Sequence, residues 1–490
     1  MEQVVSGPVP LDSRIREMGP LYERVARSLE QQIRQGALRA GEKLPSIRAL
    51  CRQRGVSVST VLQAYVALES GGWIEARTRS GFYVRSRPSL RLPEPDSPSS
   101  PGTPVEMGMA LLLRELREAA RHPLNVPLGA ATPPVESMPC KALASILSRV
   151  VRTAPVAAHR YTFTPGYEPL RRQIARRSPE YGCNFHPANV VIANGAMEAL
   201  NLALRAVARA GDAIAVESPV FYGALEAISS LGMRIVEIPT HARRGMDLDE
   251  LDRAITAHRV RAVCVSGNAQ NPLGFVLPDS WKRDLALLAA RRGVPVIEDD
   301  VYGDLVYGSA GRSTVKGFDT EGLVLYCGSF SKSLGPGLRI GWLEPGRYRA
   351  DVERLQFTST VGVATLQQMA LAEYLADGSH DRHLRRLRTR FQANVERYSE
   401  AVAARFPPGT RMTRPAGGFL LWVQLPGGRL GIDLFGAARE RSISIAPGDV
   451  FSPGNRFAGC IRLSCGEAWS DRVEAAIQTL GRLCSNLAAA

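Results

Sequence analysis

Lys332 lies in GSFSKSLGPGLRIGW, Gly328 to Trp342, directly after an apolar run and among the hydroxyls of Ser329, Ser331 and Ser333, with Arg339 seven residues on. An enclosed lysine at a strand end can shed its proton and form a Schiff base with an aldehyde. The serines and the arginine suit a phosphate. Further along the same kind of pattern, PVIEDDVY ends a buried strand with Asp299 three residues before Tyr302, so a carboxylate can pair with a protonated pyridinium while a phenol reaches a ring hydroxyl. Alternation along the strand predicts that Asp300 faces the other way. Asn271 in SGNAQNPLG can donate to the same hydroxyl, and ANGAMEAL turns from strand to helix at Gly195, Ala196 and Met197, whose unpaired amides offer a phosphate seat. Phe221 in ESPVFYG can stack on a ring, and Arg462 in CIRLSC can grip a substrate carboxylate with both nitrogens. One imine-forming amine, one anion cradle and one ring-nitrogen partner are together what pyridoxal 5'-phosphate requires.

These residues need a scaffold that brings strand ends together. NVVIANGA, DAIAVES, RIVEIP, AVCVSG, PVIEDD and LVLYCGSFSK are short apolar strands separated by helix-length segments. That alternation predicts an α/β domain, with a largely parallel sheet covered by helices on both faces and ligands held at its carboxyl edge. From about Thr365 a long arginine-rich helical stretch, followed by GGFLLWVQLP and CIRLSC as strands, predicts a smaller α+β lobe.

A different unit precedes this one. Residues 1–90 carry thirteen arginines and Lys43 against eight acids, +6 of the chain's +14. Tyr22, Val25, Ala26, Leu29 and Ile33 recur at helical spacing up to Gly36; Ser46 can cap a short second helix ending at Gly55; Ser57 can cap a third, with Val61, Ala64, Tyr65 and Leu68 as its apolar stripe before Gly71 and Gly72. WIEARTRSGFYV then alternates around a tight turn as a hairpin. This is a helix-turn-helix layout with a wing: Ser57, Ser59, Thr60 and Gln63 would face phosphates and base edges of double-stranded DNA, and Arg77 and Arg79 would reach an adjacent groove or the backbone. Between the two units RPSLRLPEPDSPSSPGTP, Arg87 to Pro104, is proline-rich and reads as a semi-stiff spacer. The boundaries expected are therefore 10–87, a linker over 88–105, and 106–490.

Composition narrows the class. With 45% hydrophobic and 22% charged residues, and no apolar run of spanning length, the chain is not expected to cross a membrane. The start MEQVVSGPVPLDSRIREMG has no signal-peptide core, which predicts a cytoplasmic protein. Eight scattered cysteines without a CxxC pair predict reduced thiols and no metal site. The basic surplus fits either a polyanionic partner or simply a basic enzyme.

GPLYERVARSLEQQIRQGALRAGEKLPSIRALCRQRGVSVSTVLQAYVALESGGWIEARTRSGFYV resembles the winged helix-turn-helix of GntR regulators, including its LPSxR and SGFYV signatures. The resemblance implies DNA binding by Arg48, the start of the third helix and the wing. Val58 stands where many relatives carry arginine, so base readout there would be apolar or shift to Ser59, Thr60 and Gln63. From about Met107 to Ala490 the chain resembles fold type I aminotransferases. That resemblance implies Lys332 as the aldimine lysine, Asp299 as ring-nitrogen partner, Asn271 and Tyr302 as ring-hydroxyl ligands and Phe221 as the stacking residue. It further implies Ser329, Ser331 and Arg339 as the phosphate cradle and Arg462 as the carboxylate clamp. Tyr161, in YTFTPGYEPLR, would cross a homodimer interface to the partner's phosphate. Gly223 replaces an arginine that some regulators with ω-amino effectors place there. The order of parts resembles the MocR subfamily of GntR regulators. It implies a transcription factor sensing pyridoxal phosphate, or an amine or amino acid, through an aldimine at Lys332. A working aminotransferase with a DNA-binding appendage is the alternative, and a purely structural ligand site a third.

Overall fold

The computed structural model describes residues 20–34, 37–39, 41–70, 73–77, 80–85, 92–97, 110–121, 125–308, 312–428 and 430–489. They fall into two compact units, Met1–Leu90 and Arg91–Ala490.

In the first unit α1 (Leu21–Arg34), α2 (Ile47–Arg54) and α3 (Val58–Ser70) precede a hairpin of β1 (Ile74–Arg77) and β2 (Gly81–Val84). Local chemistry sets these limits. Ser46 Oγ accepts from the Ala49 amide at 3.2 Å and starts α2, and Gly55, at φ 64°, ends it in the left-handed region where a side chain would be strained. Ser57 Oγ accepts from the Thr60 amide at 3.2 Å and starts α3. The predicted stripe of Val61, Ala64, Tyr65 and Leu68 is buried against Val25 and Leu29 of α1, Leu50 of α2, and Ile74 and Val84 of the hairpin. Tyr65 satisfies its buried hydroxyl by donating to the Pro45 carbonyl at 2.6 Å. The hairpin is antiparallel, with Ile74 opposite Val84 and Arg77 opposite Gly81. Gly36, Gly71, Gly72 and Arg79, singled out in the sequence, lie outside the described residues.

The second unit is built on an eight-stranded sheet: β3 (Val191–Ala193), β4 (Ala213–Ser218), β5 (Arg234–His241), β6 (Gly245–Met246), β7 (Val260–Val265), β8 (Val296–Asp299), β9 (Val324–Ser329) and β10 (Gly341–Glu344), in spatial order β3-β10-β9-β8-β7-β4-β5-β6. The six predicted strands are all present, and β9, β8, β7, β4 and β5 run parallel. Alternation sends Val296 and Val324 into the core under helices Leu248–His258 and Asp279–Arg292, and Ile297 and Leu325 into the core under Ala196–Val207 and Tyr222–Ser230. Two strands, β6 and β10, were not foreseen in the sequence. β10 is antiparallel to both β9 and β3, and a side chain at Gly341 would meet the Gly195 carbonyl carbon at 2.6 Å, so glycine is required for the sheet to close on the next helix's N-terminus.

A four-stranded antiparallel sheet, β11 (Arg411–Met412), β12 (Leu420–Gln424), β13 (Ala446–Pro447) and β14 (Cys460–Ser464), forms the smaller lobe with helices Ser379–Arg405, Gly431–Arg439 and Asp471–Ala489. The lobe was expected from about Thr365. Helix Thr365–Ala376 instead buries Ala370 and Leu371 with Leu143 and Leu170 of helices Cys140–Thr153 and Glu168–Arg177, so the change of lobe falls at Gly378. Within the expected spacer, Leu92–Asp96 lies along the small lobe, where the Met412 amide donates to the Pro93 carbonyl at 3.0 Å and the Asp96 amide to Gln424 Oε1 at 2.9 Å, and touches the large sheet's β5–β6 turn, where Arg243 pairs with Glu94 at 2.7 Å.

Leu50→Ala should open a void in the core of the first unit and lower the opening free energy of α3 amides in hydrogen exchange by about 2–4 kcal/mol, leaving β7 amides unchanged. An equal loss in both places would show that the two units do not open separately.

Candidate cofactor site and nucleic-acid interface

β4, β7, β8 and β9 end on one edge, and the cavity there is lined by Ala196, Met197, Phe221, Asn271, Asp299, Tyr302, Ser329, Ser331, Lys332 and Arg339. These residues come from five separate stretches of sequence. Lys332 is partly exposed as a residue, but its amine is inside and donates to the Ala131 carbonyl at 2.6 Å, 5.4 Å from the centre of the Tyr302 ring. Burial, aided by the Arg462 guanidinium and opposed by Asp299, pulls its pKa down to about 8. The amine therefore gives up its proton far more readily than an exposed lysine and is neutral above about pH 8.

Burial pushes Asp299 up to about 6, opposed by the Val301 amide, which donates to it at 3.3 Å. Asp300 faces the other side of the sheet as alternation requires, accepting from Tyr326 Oη at 2.7 Å and Asn268 Nδ2 at 3.0 Å and lying 3.4 Å from Arg312. Tyr302 Oη donates to the Ala131 carbonyl at 3.4 Å.

The anion seat is assembled by backbone geometry. Gly195, at φ 81°, opens helix Ala196–Val207, and a side chain there would come within 2.4 Å of the Arg339 guanidinium. Glycine thus lets Arg339 lie over the helix N-terminus, where it donates to the Asn194 carbonyl at 2.9 Å. Ser329 Oγ donates to Ser331 Oγ at 2.9 Å beside them, while Ser333 is buried 3.5 Å from Asp304, away from the seat. Unpaired helix amides, two hydroxyls and a guanidinium around one hollow fit a phosphate. At the opposite wall a side chain at Gly223 would meet the Phe221 ring at 2.4 Å, so glycine is what allows that ring its place. The donor set, with Lys332 and Asp299 facing the same cavity, fits pyridoxal 5'-phosphate.

Two sequence-predicted residues lie outside the cavity of their own chain. Arg462 does not line the cavity: it is fully buried, donating from Nη1 to Asn271 Oδ1 at 2.9 Å and from Nη2 to the Gly129 carbonyl at 2.6 Å, with its Nε unpaired. Tyr161 is 78% exposed, stacked on Phe163 at 5.7 Å and absent from the cavity of its own chain. One carboxylate of the lining has no place in the sequence reading. Glu217, next to the last residue of β4, is fully buried; its Oε2 accepts from the Ser266 amide at 3.1 Å and Gln270 Nε2 at 3.3 Å, and its Oε1 has no partner. Burial pushes its pKa up to about 8. A lone acid directly after the all-apolar run AIAV was the available signal.

In the first unit Arg48, Ser59 and Gln63 are exposed and Thr60 is half-buried. Ser57 Oγ is occupied as the cap and lies 2.9 Å from Ser59 Oγ and 2.8 Å from Thr60 Oγ1. Val58, Leu62 and Val66 add an apolar stripe, each about half exposed, at successive turns of α3. Arg77 is held on the wing by Glu75 at 2.9 Å and by the Tyr83 ring at 4.3 Å.

Residues 125–480 match the aminotransferase class I and II family, and residues 21–84 match the gntR family of bacterial regulatory proteins. The chain is 36% identical to the HTH-type transcriptional regulator YjiR of Escherichia coli over 94% of its own length and 98% of that protein's. It is 28% identical to the probable rhizopine catabolism regulatory protein MocR of Rhizobium meliloti, over 75% and 74%. Among solved structures it is similar to the α-aminoadipate aminotransferase LysN of Thermus thermophilus, complexed with N-(5'-phosphopyridoxyl)-L-leucine, with TM-score 0.71 and 29% identity over 78% of this chain and 96% of that one.

Glu217→Gln tests the buried acid. Its folded pKa, about 8, lies above the ordinary 4.5, so the folded form holds a proton that the unfolded form releases, and stability is lost as pH rises from 4.5 through 8. Glutamine cannot lose that proton. Denaturant unfolding should show the variant gaining on the native protein across that range; a difference flat with pH would mean that Glu217 ionises normally in the fold.

Proposed function

The chain belongs to the aminotransferase class I and II family and carries a gntR-family DNA-binding unit, the architecture of the MocR subfamily of GntR regulators, and from that premise we propose that it is a transcriptional regulator whose DNA binding responds to an amine or amino acid taken up at its cofactor site. Pyridoxal 5'-phosphate is the cofactor and DNA the macromolecular partner. The observation that carries the response is the position of the Lys332 amine, inside a cavity with a phosphate seat at one end and Asp299 facing it.

When bound, the cofactor supplies an electrophilic aldehyde carbon and an electron-withdrawing ring. The chain's own residues do the rest. Lys332 presents an amine that is neutral from about pH 8 and hydrogen-bonded to a carbonyl instead of a carboxylate. Asp299 would hold the proton on the ring nitrogen, Asn271 and Tyr302 would meet the ring hydroxyl, and Phe221 would cover the ring face. Ala196, Met197, Ser329, Ser331 and Arg339 would hold the phosphate, while Gly195, whose amide donates to the Ala193 carbonyl at 2.8 Å, turns the chain into the helix behind them.

Arg462 would take the effector's carboxylate. It rises from β14 of the small lobe, whereas Asn271 belongs to the large lobe and Gly129 to the segment before it. Exchanging those two neutral acceptors for a carboxylate changes what ties the lobes together, which is the differential interaction a ligand needs to shift a conformational equilibrium.

The exposed apolar residues Tyr161, Phe163, Val156 and Phe357 support a symmetric homodimer in which Tyr161 reaches the partner's phosphate seat. Two DNA-binding units per dimer would then read two operator half-sites. In each, Arg48, Ser57, Ser59, Thr60, Gln63, Arg77 and Arg79 would meet DNA, with Val58 and Leu62 placed to touch thymine methyl groups. The protein would act in the cytoplasm, where its DNA is; no described helix is long and apolar enough to cross a membrane. Turnover as an aminotransferase is a second reading, favoured by the gathering of Lys332, Asp299, Tyr302 and the phosphate seat around one cavity.

Operator DNA selected from a random-sequence pool by the native protein provides the test. Full-length Lys332→Ala should still retain that DNA in a gel shift but lose the change in retention that amines produce in the native protein. A response that survives the substitution would contradict the proposal. Steady release of keto acid by the native protein would favour the second reading.

A further inference from the structure

Behind Lys332, away from the cofactor cavity, a groove runs between the turn Val135–Ser137 and the start of helix Ser379–Arg405. Arg382, Arg386 and Arg390 line it at i, i+4 and i+8, so they stand on one helix face about 6 Å apart. Like charges at that spacing destabilise a helix unless something offsets them. Several helical arginines elsewhere in this chain have an acid one turn away, as in Arg114–Glu118, Arg172–Glu168 and Arg349–Glu353. Here the pattern breaks. Arg382 donates to Ser379 Oγ at 3.1 Å and feels the Asp377 charge, and Arg390 feels Glu467, but among the described residues no acid is paired with Arg386 or Arg390 at salt-bridge distance. Glu136 is the one carboxylate in the groove's wall.

We propose that this groove is a second ligand site, for a small organic anion carrying a phosphate or two carboxylates, and that its occupancy is relayed to Lys332 through His383. Two or three guanidinium groups facing one concavity suit a doubly charged oxyanion, and Met138, Pro139 and Ala142 give its wall an apolar part that fits a short carbon body. The relay is short. His383, also in the groove, donates from Nε2 to the Ser333 carbonyl at 2.6 Å, and Ser333 follows Lys332 in the chain. Burial and the Arg386 charge hold the imidazole below its usual pKa, so an anion beside Arg386 offsets one of the two causes and strengthens that donor. Met138 and Leu387 also pack in one cluster with Tyr302. The binding claim stands apart from the cofactor, whereas the relay rests on the function proposed above.

Calorimetric titration of the cofactor-loaded full chain with pyrophosphate, and separately with succinate, tests both parts. Pyrophosphate or succinate should bind once per chain, and whichever does identifies phosphate or dicarboxylate as the preferred group. R386Q/R390Q should weaken that binding at least about tenfold while keeping the native chromophore and thermal unfolding. Saturation should also shift the pH midpoint of the cofactor's absorbance in the native protein but not in His383→Gln, which should bind the anion about as well. Absence of saturable binding, or equal binding by the double variant, would overturn the site. Binding without a spectral shift, or a shift retained in His383→Gln, would overturn the relay alone. Displacement of the anion by short duplex DNA would assign the groove to a nucleic-acid backbone and overturn the small-anion assignment.

Discussion

The cofactor site depends on one amine taken out of water at the carboxyl edge of a parallel sheet. A lysine buried next to a carboxylate keeps its charge and becomes an ion-pair partner. Lys332 instead donates to the Ala131 carbonyl and feels the cationic Arg462 more than the anionic Asp299, so burial wins and the proton is held weakly. The neighbouring groups follow from the same constraint. β8 and β9 are parallel and in register, Cys327 beside Asp299, which fixes Asp299 and the segment leading to Lys332 on one edge. Crossing helices set the phosphate seat at that edge, because each parallel connection returns a helix N-terminus to it.

Carboxyl groups near the amine are kept from neutralising it in different ways. Asp300 is turned through the sheet by alternation and paired with Arg312, Tyr326 and Asn268. Glu217 shares the cavity but is raised by burial to about 8. Asp299, raised to about 6, is the acid that ionises at neutral pH, which suits a partner for a ring nitrogen. Arg462 adds a second constraint: a buried guanidinium with neutral acceptors and an unpaired Nε is poised for a better one.

Much of this was legible in the sequence because it is local. Caps at Ser46 and Ser57, the stripe on α3 and the buried strand runs each declare themselves within a dozen residues. So do most site residues, since a parallel sheet converts strand-end motifs into neighbours without any knowledge of helix packing. What was illegible is what depends on contacts distant in sequence. Nothing local marks the 191-residue separation bridged by Arg462 and Asn271, or the docking of Leu92–Asp96 on the small lobe. Helix Thr365–Ala376 reads as part of the arginine-rich stretch after it, and only its burial against Leu143 and Leu170 places it with the large lobe. β10 was hidden because it is only four residues long, and its glycine matters for the backbone it touches, not for its own conformation.

The most direct test treats the protein as isolated with borohydride and maps its peptides by mass spectrometry. The expected result is a phosphopyridoxyl group on the peptide holding Lys332 and on none holding Lys43, Lys141, Lys282 or Lys316. An unmodified Lys332, or label spread over the other lysines, would contradict the claim that this buried amine holds the cofactor.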